Sequence, residues 1–240
     1  MNGWHQFKSL FIREVQAYLY SPMSYLVWAV FLIGNGYLFV TSLKDGGAAN
    51  LDNVFNSMAI LLIFVIPLLT MRLIAEELKL GTLEVLLTDP ISEMLIILSK
   101  YLASVSFLII MLLPTLAYPL ILSRIGQPDP GPILGGYLGL ICMGSFFLAV
   151  GLLTSTLTSN QVGAATLSFI ILLVFWLLGK STETLGPGLL REILDYTSAF
   201  SRFSSFRRGV IDTRSIIYSQ SLITLCLFIS IRLLYLRRLN

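Results

Sequence analysis

PGPILGGYLGLICMGSFFLAVGLLTSTLTSNQVGAATLSFIILLVFWLLG, residues 130–179, runs for 50 positions without an Asp, Glu, Lys or Arg. A bilayer core of about 30 Å takes about 20 apolar residues per helix. The run is too long for one span and suits two joined by a tight turn. Thr154-Ser155-Thr156 and Thr158-Ser159-Asn160-Gln161 form a polar island within it and mark that turn. The reading is therefore a span over 133–153 and another over 162–178.

Working outward, a third charge-free run fills 101–123, between Lys100 and Arg124. Further runs cover 23–43, 54–73 and 215–231, the last being short but flanked by Arg214 and Arg232, whose side chains can snorkel. The count is six, which places both termini on one side. Composition agrees: 56 % of the 240 residues are hydrophobic and 12 % charged, against about 25 % charged in soluble domains. Mean hydropathy is +0.84. The fold class is all-α, a polytopic membrane protein in one transmembrane domain, 1–240. The apolar excess excludes disorder. The 16 Lys and Arg are scattered without a basic tract, so no nucleic-acid partner is expected. Cys142 and Cys226 lie far apart in apolar runs and suggest neither a disulfide nor a metal site.

Residues 4–20 read differently. Trp4, Phe7, Leu10, Phe11, Tyr18 and Leu19 follow helical spacing, with Gln6, Lys8, Arg13, Glu14 and Gln16 between them. That is an amphipathic helix lying in the membrane interface. Ser21-Pro22 then turns the chain into the bilayer. No cleavable signal pattern is evident. With the N-terminus inside, each side carries eight Lys and Arg, so the positive-inside rule does not decide orientation. Most of the outside total comes from the loop before the last span.

The loop at 74–92 carries the most chemistry. Glu76, Glu77 and Lys79 suggest that the second span continues beyond the membrane surface. Gly81 can supply a left-handed stop. Thr82 can cap a second short helix with Glu84 in its first turn, where the dipole favours an anion. Leu83, Leu86 and Leu87 give that helix an apolar face, and Asp89-Pro90 ends it. Such an element, held by two spans, can receive a push from a partner.

This stretch resembles the signature of ABC-2-type transporter permeases. Glu76-Glu77, Gly81-Thr82, Glu84, Leu86-Leu87, Pro90 and Lys100 all match. A second similarity, to the gliding-motility-type branch, spans Ser198 to Asp212, then Tyr218 and Arg237-Arg238, with Ala199 departing from the His of that branch. The resemblance implies an ABC-2 exporter fold and cytoplasmic termini in a bacterial inner membrane. It implies that the second loop is a coupling helix docking in a separate ATPase, with Glu76, Glu77, Gly81, Thr82, Leu83, Glu84, Leu87 and Pro90 as contacting or elbow-shaping residues. The turn at 154–161 would be a smaller contact. A second permease subunit and an auxiliary or periplasmic subunit are also implied partners, besides the lipid bilayer. ATP and Mg would sit in the ATPase, with no cofactor in this chain. The implied role is export driven by the ATPase, or the same coupling used in surface machinery or protein maturation.

Between the last two spans, 181–213 is patterned. Leu189, Leu190, Ile193 and Leu194 recur at helical spacing after Gly186-Pro187-Gly188, and Phe200, Phe203 and Phe206 repeat among serines and arginines. Aromatics with arginines suit an interfacial position. By the resemblance this loop is an outer gate, with Phe200, Phe203, Phe206, Arg207, Arg208 and Gly209 as its residues. Alternatively Arg202, Arg207 and Arg208 contact lipid phosphates or an anionic substrate.

Enzymatic readings fail on residue types. No Gly-x-x-x-x-Gly-Lys-Ser/Thr motif is present. The single histidine, His5, lies in the amphipathic leader, so no Ser-His-Asp or Cys-His set can be built in the membrane. The six span interiors, as bounded above, contain no Asp, Glu, Lys or His, which argues against an ion-coupled carrier. Gly135 and Gly139, four apart, predict close helix packing, within the subunit or across a dimer.

Overall fold

The computed structural model describes residues 3–44, 51–83, 91–184, 199–210 and 212–239. No strand occurs among them. The helices are α1 (Gly3–Tyr20), α2 (Pro22–Lys44), α3 (Asp52–Thr70), α4 (Ala75–Leu80) and α5 (Glu93–Leu112). A 3₁₀ turn at Leu113–Leu116 leads into α6 (Ala117–Ile125). Then come α7 (Pro130–Leu157), α8 (Gln161–Thr184), α9 (Ala199–Arg207) and α10 (Thr213–Leu239).

Among the described residues, six segments are long and apolar enough to cross a membrane: Pro22–Leu43, Asp52–Leu80, Glu93–Arg124, Pro130–Leu157, Gln161–Ser181 and Thr213–Arg238. The helices outrun the charge-free cores, and two of them start at capping side chains. Asp129 accepts from Gly131 N–H at 3.0 Å and starts α7 with Pro130 in its first turn. Asn160 accepts from Val162 N–H at 3.0 Å and starts α8. The turn between them is therefore shorter than the polar island. Thr154, Ser155 and Thr156 stay inside α7 and are buried. Thr154 and Thr156 donate back to Gly151 O and Leu153 O, at 2.9 and 2.6 Å, so their hydroxyls need no water.

Helix α7 is the centre of the bundle and packs against α3, α5, α8, α9 and α10. Its glycines are where the neighbours come closest. A Cβ at Gly136 would meet the Phe55 ring of α3, one at Gly144 the Leu108 side chain of α5, and one at Gly151 the Thr70 side chain. Gly135 and Gly139 receive α9: a Cβ at Gly135 would strike the Phe206 carbonyl. The close packing expected of this pair is thus within the subunit.

The bundle has two chemically distinct ends. One gathers α1, α4, the start of α5, the end of α7 and the end of α10, where Arg238 Nη1 donates to Glu93 Oε1 at 2.7 Å and Arg237 Nη2 to Leu157 O at 3.5 Å. The other gathers the start of α3, the start of α7 and α9, tied by Arg207 and Asp52. Glu14 of α1 and Arg238 of α10 therefore lie at the same, charged end.

The glycine contacts differ in what must yield. At Gly135 the obstacle is backbone; at Gly144 it is a mobile leucine end. Gly135→Ala should destabilise the detergent-solubilised protein by about 1–3 kcal/mol, and Gly144→Ala by clearly less. Thermal unfolding followed by size exclusion checks the order; equal losses would contradict it.

Candidate functional site

The charged end is built around Lys100. This residue sits two turns into α5 and is 1 % exposed. It therefore belongs to the helix interior, because the helix begins eight residues before the charge-free run at 101–123. A lysine bordering an apolar run reads as a stop, yet α5 begins seven residues earlier at Glu93. Its ammonium donates to Glu77 Oε1 at 2.8 Å and to Glu14 Oε1 at 3.1 Å. Arg13 Nη2 donates to the same Glu14 oxygen at 3.0 Å. Two cations and two carboxylates thus balance. Without such partners a buried ammonium costs several kcal/mol.

Glu14 reaches Lys100 because α1 turns one stripe inward. Leu10, Glu14 and Tyr18, four apart, are all buried against α5. The sequence reading set Glu14 among the polar residues; the structure moves it to the buried face. Tyr18 stacks on Phe107 at 5.0 Å between centroids and donates to Leu69 O at 3.4 Å. Burial, with Glu14 beside it, raises its phenol above the ordinary value, so it stays a neutral donor.

Helix α4 is the elbow anticipated beyond the second span, though set off from α3 by a turn at 71–74. The break leaves backbone N–H groups without intrahelical partners. Ser155 supplies the acceptor from another helix: Ile74 N–H and Ala75 N–H both donate to its hydroxyl oxygen, each at 3.0 Å. Gly81 closes the elbow at φ 71°, in the left-handed conformation expected of it. Glu76 lies 3.9 Å from Arg72 across one turn. Thr82 is already helical, and its hydroxyl donates back to Glu77 O at 3.4 Å.

Two of these residues are engaged within the subunit. Leu83 is buried in the core, and Glu77 is committed to Lys100. The outward side presents Leu80, which is 66 % exposed. Glu84, Leu87 and Pro90 lie outside the described residues.

At the opposite end, Phe203 and Phe206 are buried against α7 rather than presented to the interface, because Gly135 and Gly139 leave room for them. Arg207 Nη1 donates to Asp52 O and Oδ2, at 3.1 and 3.2 Å, fastening α9 to α3. The Arg202 guanidinium stacks 4.2 Å from the Tyr218 ring centroid. Gly209, at φ 79°, ends the segment with its N–H donating to Phe206 O. Arg208 is exposed. Phe200 lies in α9, but its side chain is outside the described residues, as is the whole of 185–198 with its expected helix at 189–194.

Sequence reasoning missed Glu14, Ser155 and the burial of Lys100. The four-residue spacing of Leu10, Glu14 and Tyr18 was the available signal for the first. For Ser155 there was none, since its partners are 81 and 80 residues away.

Six spans, an amphipathic N-terminal helix and an elbow after the second span define a multi-pass transport permease. A family model described as ABC-2 family transporter protein matches residues 10–203. The chain belongs to that family, as the membrane component of an ABC system that works with an ATPase subunit. No curated protein matches it.

Lys100→Met would leave the Glu14 and Glu77 carboxylates without their buried cation, a loss of about 3–5 kcal/mol. Glu14→Gln/Glu77→Gln/Lys100→Met removes all three charges together and should recover most of that stability. Thermal unfolding of the three proteins checks the order; a triple variant no better than the single would refute the pairing.

Proposed function

We propose that the chain is the permease subunit of an ATP-driven exporter, in which α4 and the segment after Gly81 receive the stroke of the ATPase. The observation that carries this is the way α4 is held. Ser155 ties it to α7, Glu77 ties it through Lys100 to α5 and α1, and the turn at 71–74 joins it to α3. A displacement of the elbow is thereby shared among four helices. The exposed Leu80 and the helical start at Thr82 form the side offered to the ATPase. ATP and Mg belong to that subunit.

In this reading the charged end faces the cytoplasm of a bacterial cell and both termini are cytoplasmic. The permease pairs with a second permease subunit. Helix α9 closes the outer end, with Phe203 and Phe206 as the plug and Arg207 as the latch on Asp52. Opening requires α9 to leave the Gly135–Gly139 surface.

Gly81→Val puts a β-branched residue at positive φ, and Ser155→Ala removes the hydroxyl oxygen bonded to Ile74 and Ala75 N–H, a cap worth about 0.5–2 kcal/mol. Both variants should reach normal membrane levels yet recruit less ATPase or hydrolyse ATP uncoupled from transport. Co-purification and turnover measure this; wild-type behaviour of both would remove the elbow from the mechanism.

Orientation has its own test. On a background without Cys142 and Cys226, an impermeant thiol reagent added outside cells should label Val210→Cys and not Leu80→Cys. The reverse pattern would invert the topology.

A further inference from the structure

The third span is broken at Leu113–Leu116, a 3₁₀ turn between α5 and α6. Pro114 is the cause of the tightening. It has no N–H, so Ile110 O loses its α-helical donor. Leu113 N–H compensates by serving Ile109 O and Ile110 O together. Pro119, inside α6, deprives Thr115 O of its helical donor in the same way.

Side chains from two other helices fill the gaps. In α geometry Met111 O would accept from Thr115 N–H, four residues on. In 3₁₀ geometry that N–H turns to the residue three back, and Met111 O is left over. Trp28 of α2 donates its Nε1–H to Met111 O at 3.2 Å. Tyr137 of α7 donates its hydroxyl to Thr115 O at 2.8 Å. Thr115 is buried, and its own hydroxyl donates to Leu112 O at 2.6 Å. The two borrowed donors differ in kind. Thr115 O has no helical donor in either geometry, whereas Met111 O regains one when the turn becomes α-helical.

We propose that 113–116 is a two-state joint in the third span: 3₁₀ with Trp28 on Met111 O, or α-helical with Thr115 N–H there instead. A 3₁₀ turn is wound more tightly and rises further per residue than an α-helix. Converting four residues turns α6 by about 80° about the span axis and draws it in by about 2 Å. Tyr137 makes the 3₁₀ state the resting one, since turning Thr115 carries its carbonyl away from that hydroxyl. Helix α6 meets the bundle along a narrow stripe. Tyr118 stacks on Phe39 at 4.5 Å and Leu122 is buried, while Leu116, Leu120 and Ile121 are exposed. Leu120, Ile121 and Leu122 are all apolar, so more than one face of α6 can lie against its neighbours. Lys100 anchors α5, which confines the movement to α6. The joint stands independently of ATPase coupling.

The purified full chain in detergent, carrying Cys142→Ala and Leu122→Cys, is treated with N-ethylmaleimide, and modification at positions 122 and 226 is followed by mass spectrometry. Cys226, buried in α10, reports general loosening. Trp28→Phe removes the N–H and keeps a ring beside Phe107. Pro114→Ala gives Ile110 O its own donor and removes the cause of the tightening. Both favour the α-helical state, by unrelated chemistry. Each should speed modification at position 122 by about tenfold, the scale of one hydrogen bond, with Cys226 unchanged. A wild-type rate at position 122 in either variant overturns the joint, as does an equal rise at Cys226.

Discussion

One buried ammonium organises the charged end of this protein. Lys100 is withdrawn from solvent in α5, and its charge is tolerable there only while two carboxylates from distant segments stay within reach. Glu14 brings α1 to it and Glu77 brings α4. The amphipathic helix and the elbow are therefore fixed by the same atom, although they are separated by a complete span pair in sequence. The position of α4, and of whatever docks on it, follows from satisfying this charge.

The opposite end is held by different means. Helix α9 approaches α7 so closely that glycine is required at two facing positions, and burial of two phenylalanines supplies most of the contact. Arg207 and Asp52 add one partly exposed ion pair, worth little by comparison. The two ends of this ABC-2 permease are thus held by unlike forces, ionic at one and apolar at the other.

Much of the fold was legible because a bilayer imposes length. The 50-residue run without charge admits two spans and no other simple reading, and Gly81 announced a helix stop that the backbone adopts. The site was legible only in part. Glu76, Glu77 and Gly81 fall in the elbow as read, but Lys100 was taken for a border residue, since a charge at the edge of an apolar run normally marks the surface. Its partner Glu14 is 86 positions away. Phe203 and Phe206 were read as interfacial because aromatics among arginines usually are; the space left by Gly135 and Gly139 draws them inward instead. In each case the deciding neighbour is remote in sequence, and the only local trace is the four-residue spacing of Leu10, Glu14 and Tyr18.

The borrowed cap on α4 has a further consequence. A helix that begins with its own Ser or Asp carries its start signal with it. This one begins at Ile74 and Ala75 and relies on a hydroxyl from the far end of α7. The elbow is therefore not a portable cassette. Transplanted with its flanking residues into another scaffold, or excised as a peptide, it would lose its first turn unless the host supplied an equivalent oxygen. Chimeras between permeases of this kind must exchange 71–81 together with the segment around Ser155, and a chimera that keeps only one of the two should inherit a frayed hinge.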